Sequence, residues 1–450
     1  MKILKIAQWK LIIWKKCVKI IKDGDLMNND ENIYLPRLVD EMLEKYLKVF
    51  GAVSVEGTKW CGKTWTSSKF AKSSVYLDED DVYERASLNI EMILKGEAPE
   101  LIDEWTKIPK IWDAVRRKCD KLQKSGNYIL TCSTELSEKR KKEIFHSGAG
   151  RIGKLKMYPM SLYESKASSG QISIMDMYNG IPKNINVDTP SLEEIASLII
   201  RGGWPSNIDK DKELAYLLPN SYIESILDKD IHDEKKRDKN KMKMLLKSLA
   251  RNESTIVSNQ TLLKDIEECS NNEELIESRN TMADYLDVLT RLYIIENQEA
   301  YNQNYRFPER VGKSVKRHFI DPSLTCAILG LDADKLISDL KTFGFMFESL
   351  VERDLKIYME YLGGHLYHFR DNVSGLEVDS ILEFKGGEYA AVEIKLGNNK
   401  LEEAKETLLN FAKNMKKKPK FMCVITANSS YVGQDKETGI YILPITALKP

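Results

Sequence analysis

Two sets of residues in this chain have the types and spacing for phosphate chemistry. The first is Gly57-Thr58-Lys59-Trp60-Cys61-Gly62-Lys63-Thr64, which fits G-x-x-x-x-G-K-[ST] at every fixed position. Glycines let a backbone curl around phosphate with its N–H groups inward, and a helix beginning at the loop's end adds its positive terminus. Lys63 then reaches the β and γ phosphates of a nucleotide, and the Thr64 hydroxyl can ligate Mg²⁺. The bare pattern also suits a glycine turn with an exposed lysine. The β-prone run before it (Ala52 to Val55) and the helix-prone run after it (Thr64 to Ala71) favour ATP. Glu100-Leu101-Ile102-Asp103-Glu104 supplies the acids that such a site needs at a neighbouring strand end. Asp103 is the expected Mg²⁺ acid, and Glu104 the expected general base for an attacking water. Thr131 or Ser133 can sense the γ-phosphate or cap a helix. Arg151, after Gly148-Ala149-Gly150, can reach phosphate in its own or a neighbouring subunit, or sit on the surface.

These residues need a scaffold that brings strand ends together. Short strands are expected at Ala52–Val55, Val75–Leu77, Leu101–Ile102, Tyr128–Thr131 and Ile152–Met157, with helices at Leu35–Phe50 (Pro36 in its first turn), Thr64–Ala71 and Ile111–Gln123. Strands alternating with helices predict a parallel α/β sheet. From Ser191 the texture turns helical: Leu192–Arg201, Lys210–Asp228, Met244–Arg251, Asn259–Glu267 and Arg279–Leu292, then a short strand at Tyr293–Ile295. Three helices followed by a strand suggest a winged-helix-like unit, which can bind DNA or simply pack domains. From Phe343 a third texture begins. It has a long helix to Tyr361, strands at Tyr367–Phe369, Glu377–Phe384 and Tyr389–Ile394, a helix at Lys400–Asn414 and a strand at Phe421–Thr426.

Composition narrows the options. The 450 residues carry 68 Lys+Arg against 68 Asp+Glu, so bulk positive charge cannot hold DNA, although a local basic groove can. Lys413 to Lys420 is the one dense basic patch; it reads as a solvated helix end or as a contact to nucleic-acid backbone. With 42% hydrophobic and 30% charged residues the chain is not globally disordered. Seven cysteines without a C-x-x-C pair argue against structural zinc or a disulfide scaffold. Only His365 and His368 lie close together among the five histidines, and they read as structural. Met1 to Ile21 is broken by Lys2, Lys5, Lys10, Lys15, Lys16 and Lys19, so no membrane span is expected. That stretch reads as a loose extension, an upstream start before a usual Met27, or a weak membrane-surface anchor. A cytoplasmic location is expected.

Leu35 to Glu164 resembles the ATPase domain of prokaryotic AAA-family ATP-binding proteins that carry a C-terminal domain of unknown function. The resemblance rests on the phosphate loop, Leu101-Ile102-Asp103-Glu104-Trp105, Ile129-Leu130-Thr131-Cys132-Ser133, Gly150-Arg151-Ile152 and Pro159-Met160-Ser161-Leu162-Tyr163-Glu164. It continues through Gly202-Gly203-Trp204-Pro205, Phe319-Ile320-Asp321-Pro322 and Glu393-Ile394-Lys395. Cys132 stands where the family tends to have glycine, a change expected to affect packing more than chemistry. The resemblance implies ATP binding and gives no cellular role.

The second chemical set is C-terminal. Asp379 lies in one strand pattern, and Glu393 and Lys395 lie in another, where positions i and i+2 share a face. Glu377 shares the face of Asp379, and Glu348 sits in the helix that opens the unit. An E…D…E-x-K set in this order is similar to the restriction-endonuclease-like fold, in which carboxylates hold Mg²⁺ and a lysine helps activate water. The other reading is a solvated charge pair on an edge strand. The expected fold is therefore α/β: a P-loop NTPase of AAA type with a parallel sheet, a helical region with a winged-helix-like unit, and a PD-(D/E)xK nuclease-like domain. The boundaries are 1–30 for the N-terminal extension, 31–165, 190–330 and 335–450. The expected activity is Mg-ATP hydrolysis coupled to the C-terminal part. An ATP-regulated metal-dependent DNA nuclease and a non-hydrolysing ATP-gated interaction module are the alternatives. DNA, through the winged-helix-like or nuclease-like region, and an unidentified protein are the expected partners.

Overall fold

A computed structural model describes residues 34–230, 238–269, 279–303, 315–371 and 373–450. The N-terminal extension and the three readings of it lie outside the described residues, as does part of the charged stretch before Lys243.

Five strands, β1 (Ala52–Glu56), β2 (Ser73–Tyr76), β3 (Glu100–Asp103), β4 (Tyr128–Cys132) and β5 (Ile152–Lys156), form one sheet in the order β2-β3-β4-β1-β5. All four pairings are parallel. Both faces of such a sheet are covered, so β1 and β4 are buried along their whole length. Alternate residues serve opposite cores. Val53, Val55, Leu101 and Ile129 pack on one side with Leu43 from the Leu38–Val49 helix. Ala52, Ile102 and Leu130 pack on the other with Ile111 and Val115 from the Lys110–Leu122 helix. The first helix starts at Leu38 rather than Leu35. Arg37 is its N-cap, closed by a reciprocal bond with Asp40, so Pro36 precedes the helix.

After two short strands, β6 (Ile172–Ser173) and β7 (Ile185–Asn186), the helical region begins with Leu192–Arg201. The helix expected from Lys210 starts only at Leu217. Asn207 explains the delay: its amide donates to the Ala215 carbonyl at 2.8 Å, while Asp211 accepts from Glu213 N, holding 211–216 in turns. Helices Lys239–Arg251, Asn259–Cys269 and Arg279–Arg291 follow. They lead to an antiparallel pair, β8 (Ile295–Gln298) and β9 (Lys316–Phe319). The strand begins two residues later than expected because Tyr293 takes a left-handed turn (φ 54°) after the helix.

The long helix Leu340–Leu362 opens the last region. A mixed sheet follows, built from β10 (His365–Arg370), β11 (Glu377–Glu383), β12 (Tyr389–Lys395), β13 (Met422–Thr426), β14 (Tyr431–Gln434) and β15 (Tyr441–Pro444). Its order is β10-β11-β12-β13-β15-β14-β7. β10, β11 and β12 run antiparallel to one another, whereas the Leu401–Asn414 helix crosses over to make β12 and β13 parallel. Strand β16 (Leu448–Lys449) pairs with β6, which ties the end of the chain to the segment leaving the first sheet.

Candidate nucleotide site and the C-terminal acid cluster

β1 delivers the phosphate loop and the helix Lys63–Phe70 carries it away. Two glycines are required by geometry. A Cβ on Gly57 would lie 2.1 Å from the Met157 carbonyl oxygen, and Gly62 sits at φ 99° as the helix N-cap. Lys63 is buried and its ammonium donates to the Thr58 carbonyl at 2.8 Å, so it closes the loop on itself. Lys59, Trp60 and Cys61 fill the loop; Trp60 is half-exposed at its tip, and Cys61 is buried beneath it.

β4 lies between β1 and β3, and this order brings the acids to the loop. The Thr64 hydroxyl donates to Asp103 Oδ1 at 2.9 Å, and Thr131 donates to the same oxygen at 2.5 Å. Burial pushes the Asp103 carboxyl up, while the hydrogen bonds from Thr131 and Thr64 pull it down. Glu104 takes a left-handed conformation (φ 56°) just past the strand end. Its backbone N–H donates to Thr131 Oγ1, and its carboxylate accepts from Ser133 at 2.5 Å. Thr131 and Ser133 thus have separate tasks: one orients the Asp103 acid, the other the Glu104 acid. A cavity of about 780 Å³ opens beside Glu104, lined also by Lys59, Ser133, Arg140 and Arg291.

Arg151 is elsewhere. Its carbonyl accepts from Ala52 N, at the entry of β1, while the loop leaves the opposite end of that strand. Its guanidinium pairs with Asp120 at 2.7 Å. A strand length therefore separates it from its own phosphate loop, because a parallel partner starting at Ile152 must place its preceding residue at the sheet's far edge.

Sequence reasoning missed the residues that clamp the loop. Arg37, buried, donates to the Cys61 carbonyl (2.8 Å), the Tyr158 carbonyl (2.8 Å) and Glu164 (3.0 Å). From the helical region, the Tyr222 hydroxyl meets Thr58 Oγ1 at 2.5 Å. Tyr222 stacks on Trp204 and meets the Trp60 ring edge-on, both at 5.0 Å. The Gly202-to-Pro205 and Phe319-to-Pro322 motifs explain how Trp204 is held. Asp321 accepts from Gly203 N and Arg353, and Trp204 Nε1 donates to Ser323. Only these motifs hinted at a role, and nothing in the sequence linked them to the loop.

In the last region Lys395 contacts Glu393 at 2.6 Å and Asp379 at 3.4 Å, and Ile394 N donates to Asp379 at 2.7 Å. Glu377 lies outside this group, paired with Arg370. Glu348 is bonded to Lys316, a residue of β9, which also contacts Glu352 at 2.9 Å. Burial, opposed by Lys316, pushes the Glu348 carboxyl up to about 8. Burial and Asp379, opposed by Lys395, do the same to Glu393. Ammonium groups already face the carboxylates that a nuclease would use. Among the described residues no three His, Cys, Asp or Glu side chains converge as a metal site. His365 is exposed and His368 buried on β10. In the basic patch, Lys418 donates to the Ala412 and Lys413 carbonyls and so caps the preceding helix. No helix among the described residues is long and apolar enough to cross a membrane.

Three family models match the chain. An AAA domain covers residues 50–166, a domain of unknown function (DUF8612) covers 192–335, and another (DUF4143) covers 343–448. No curated protein matches. Among solved structures, the Walker-type ATPase PABY2304 of Pyrococcus abyssi is similar at 12% identity, covering 68% of this chain and 99% of that one, with a TM-score of 0.42. The Aeropyrum pernix ORC2 protein, in ADPNP–ADP complexes, has 12% identity over 70% of this chain and 96% of its own, with a TM-score of 0.35. The Aeropyrum pernix ORC1 protein, in complex with DNA, has 14% identity over 71% and 97%, with a TM-score of 0.28. Likeness at this level says nothing of function. The AAA match and the phosphate loop on a parallel sheet agree on a P-loop NTPase fold. The chain is an AAA-family protein whose ATPase-type domain is followed by C-terminal domains of unknown function.

Proposed function

We propose that this protein hydrolyses Mg-ATP at the phosphate loop and passes its nucleotide state to the C-terminal regions. The observation that supports this most is the pairing of two hydroxyl–acid contacts: Thr64 and Thr131 on Asp103, and Ser133 on Glu104. Thr64 and Asp103 fit Mg²⁺, which when bound supplies charge neutralisation between the β and γ phosphates. Lys63 leaves the Thr58 carbonyl to donate to the same phosphates. Glu104, held by Ser133, accepts a proton from water as the water oxygen bonds to the γ-phosphorus and the bond to the bridging oxygen breaks. Gly57, Thr58, Lys59, Trp60, Cys61 and Gly62 form the cradle. Arg151 has no part in this at its own loop.

The same reading makes Tyr222 the contact that reports on the loop to the helical region. The three helices and the β8–β9 pair support a winged-helix-like unit. The helix, antiparallel meander, crossover helix and parallel strand of the last region support a nuclease-like fold. Lys395 beside Asp379 and Glu393 suits either reading; Lys316, which holds Glu348 and Glu352, is the added cation that favours a docking module, for a protein partner or for DNA, over a metal-dependent nuclease. The test is ATP turnover by the full chain and by Glu104→Gln. The variant should bind ATP but turn over about 10²–10⁴-fold more slowly; unchanged turnover removes Glu104 as base.

A further inference from the structure

A cavity of about 620 Å³ lies where the three family-matched regions meet, away from the phosphate loop. Lys166 and Ser169 come to it from the end of the AAA region and the segment after it, Arg201, Lys210 and Lys212 from the helical region, and Thr446 from the last. Arg201 is half-buried. It donates only to neutral oxygens, the Ser165 hydroxyl at 3.2 Å and the Gly202 carbonyl at 3.3 Å. Of the acids in its field, Asp321 and Asp354 are already bonded to Arg353, and Asp209 is exposed and does not line the cavity. Burial lowers the Arg201 pKa to about 10. Lys166, Lys210 and Lys212 are exposed and make no ion pair among the described residues. Four cations therefore face this cavity against two carboxylates, Asp188 and Glu194. The Glu194 carboxylate is engaged in capping its own helix through Ser191 N.

A guanidinium drawn from water without a carboxylate partner costs free energy that a bound anion would offset. The size of the cavity suits a small molecule. We propose that this cavity binds a small phosphate-bearing anion, with Arg201 at its floor and Lys166, Lys210 and Lys212 around its rim. The ligand would lie beside the Gly202–Gly203 turn that carries Trp204 onto Tyr222. It is a site separate from the nucleotide loop and does not depend on ATP hydrolysis.

The test is calorimetric titration of inorganic pyrophosphate into the full chain and into three variants: Lys63→Ala, Arg201→Gln and the double variant Lys210→Gln/Lys212→Gln. A saturable event that survives in Lys63→Ala, and weakens about tenfold or more in both Arg201→Gln and the double variant, supports the site. The exposed lysine pair keeps the test valid if Arg201→Gln fails to fold. Absence of saturable binding in the wild-type chain overturns the proposal. So does binding lost in Lys63→Ala alone, or binding in the double variant equal to wild type.

Discussion

Replacing Tyr222 by phenylalanine removes one oxygen and leaves the ring stack with Trp204 and Trp60 in place. The Thr58 hydroxyl is then left without its partner at a position with no solvent exposure. An unsatisfied buried hydroxyl costs about 1–3 kcal/mol. Thr58→Val removes the same bond from the other side and should also destabilise the chain. The double variant Tyr222→Phe/Thr58→Val removes both polar groups, so it should be less destabilised than the two single costs added together. The coupling between the two sites should be about 1–2 kcal/mol, within the range for residues in direct contact. The assay is a double-mutant cycle of urea midpoints, with ATP affinity measured on the same four proteins. If the contact also holds the loop in its binding shape, Tyr222→Phe should weaken ATP roughly three- to tenfold, because about 1.4 kcal/mol is one decade. Strict additivity in stability, with ATP affinity unchanged in both single variants, would refute the claim that the helical region grips the loop through this bond.

Arg37→Met breaks three charge-assisted bonds and takes the paired cation from the buried Glu164 carboxylate, which keeps its bonds from Leu38 N and Ser161, so it should destabilise the chain by about 3–5 kcal/mol, read as a lowered denaturation midpoint. Glu348 and Glu393 have folded pKa values raised by burial to about 8 against a reference of 4.5. The folded chain therefore holds more protons than the unfolded one between those values, and stability falls as pH rises through that window. Melting temperature should drop between about pH 5 and about pH 8, and Glu393→Gln should flatten the drop; a steeper or unchanged profile in the variant contradicts the assignment.

The phosphate loop was legible because its chemistry fixes residue types at fixed spacing, and the strand and helix around it follow the same local rules. Asp103 and Glu104 were legible as an acid pair at a strand end. Their partners became clear only once β4 was seen to insert between β1 and β3, which is a pairing and not a local pattern. Which of the readings of Arg151 applies at its own loop was hidden for the same reason: proximity to a glycine pair says nothing about which end of a sheet a residue occupies. Arg37 precedes an ordinary amphipathic helix, and Tyr222 lies in another; their contacts with Cys61 and Thr58 span distant chain segments. The E…D…E-x-K order placed Asp379, Glu393 and Lys395 together correctly. It could not show that Lys316, from a different region, would reach Glu348 and Glu352. The late start of the Leu217 helix followed from one side chain, Asn207, drawing the Ala215 carbonyl away.

The most direct measurement is steady-state phosphate release from Mg-ATP by the full chain beside Lys63→Ala. The account predicts turnover in the wild-type chain that vanishes in the variant, whose loop has lost the ammonium meant for the phosphates. Equal turnover in both, or ATP binding without any turnover in the wild-type chain, would contradict it.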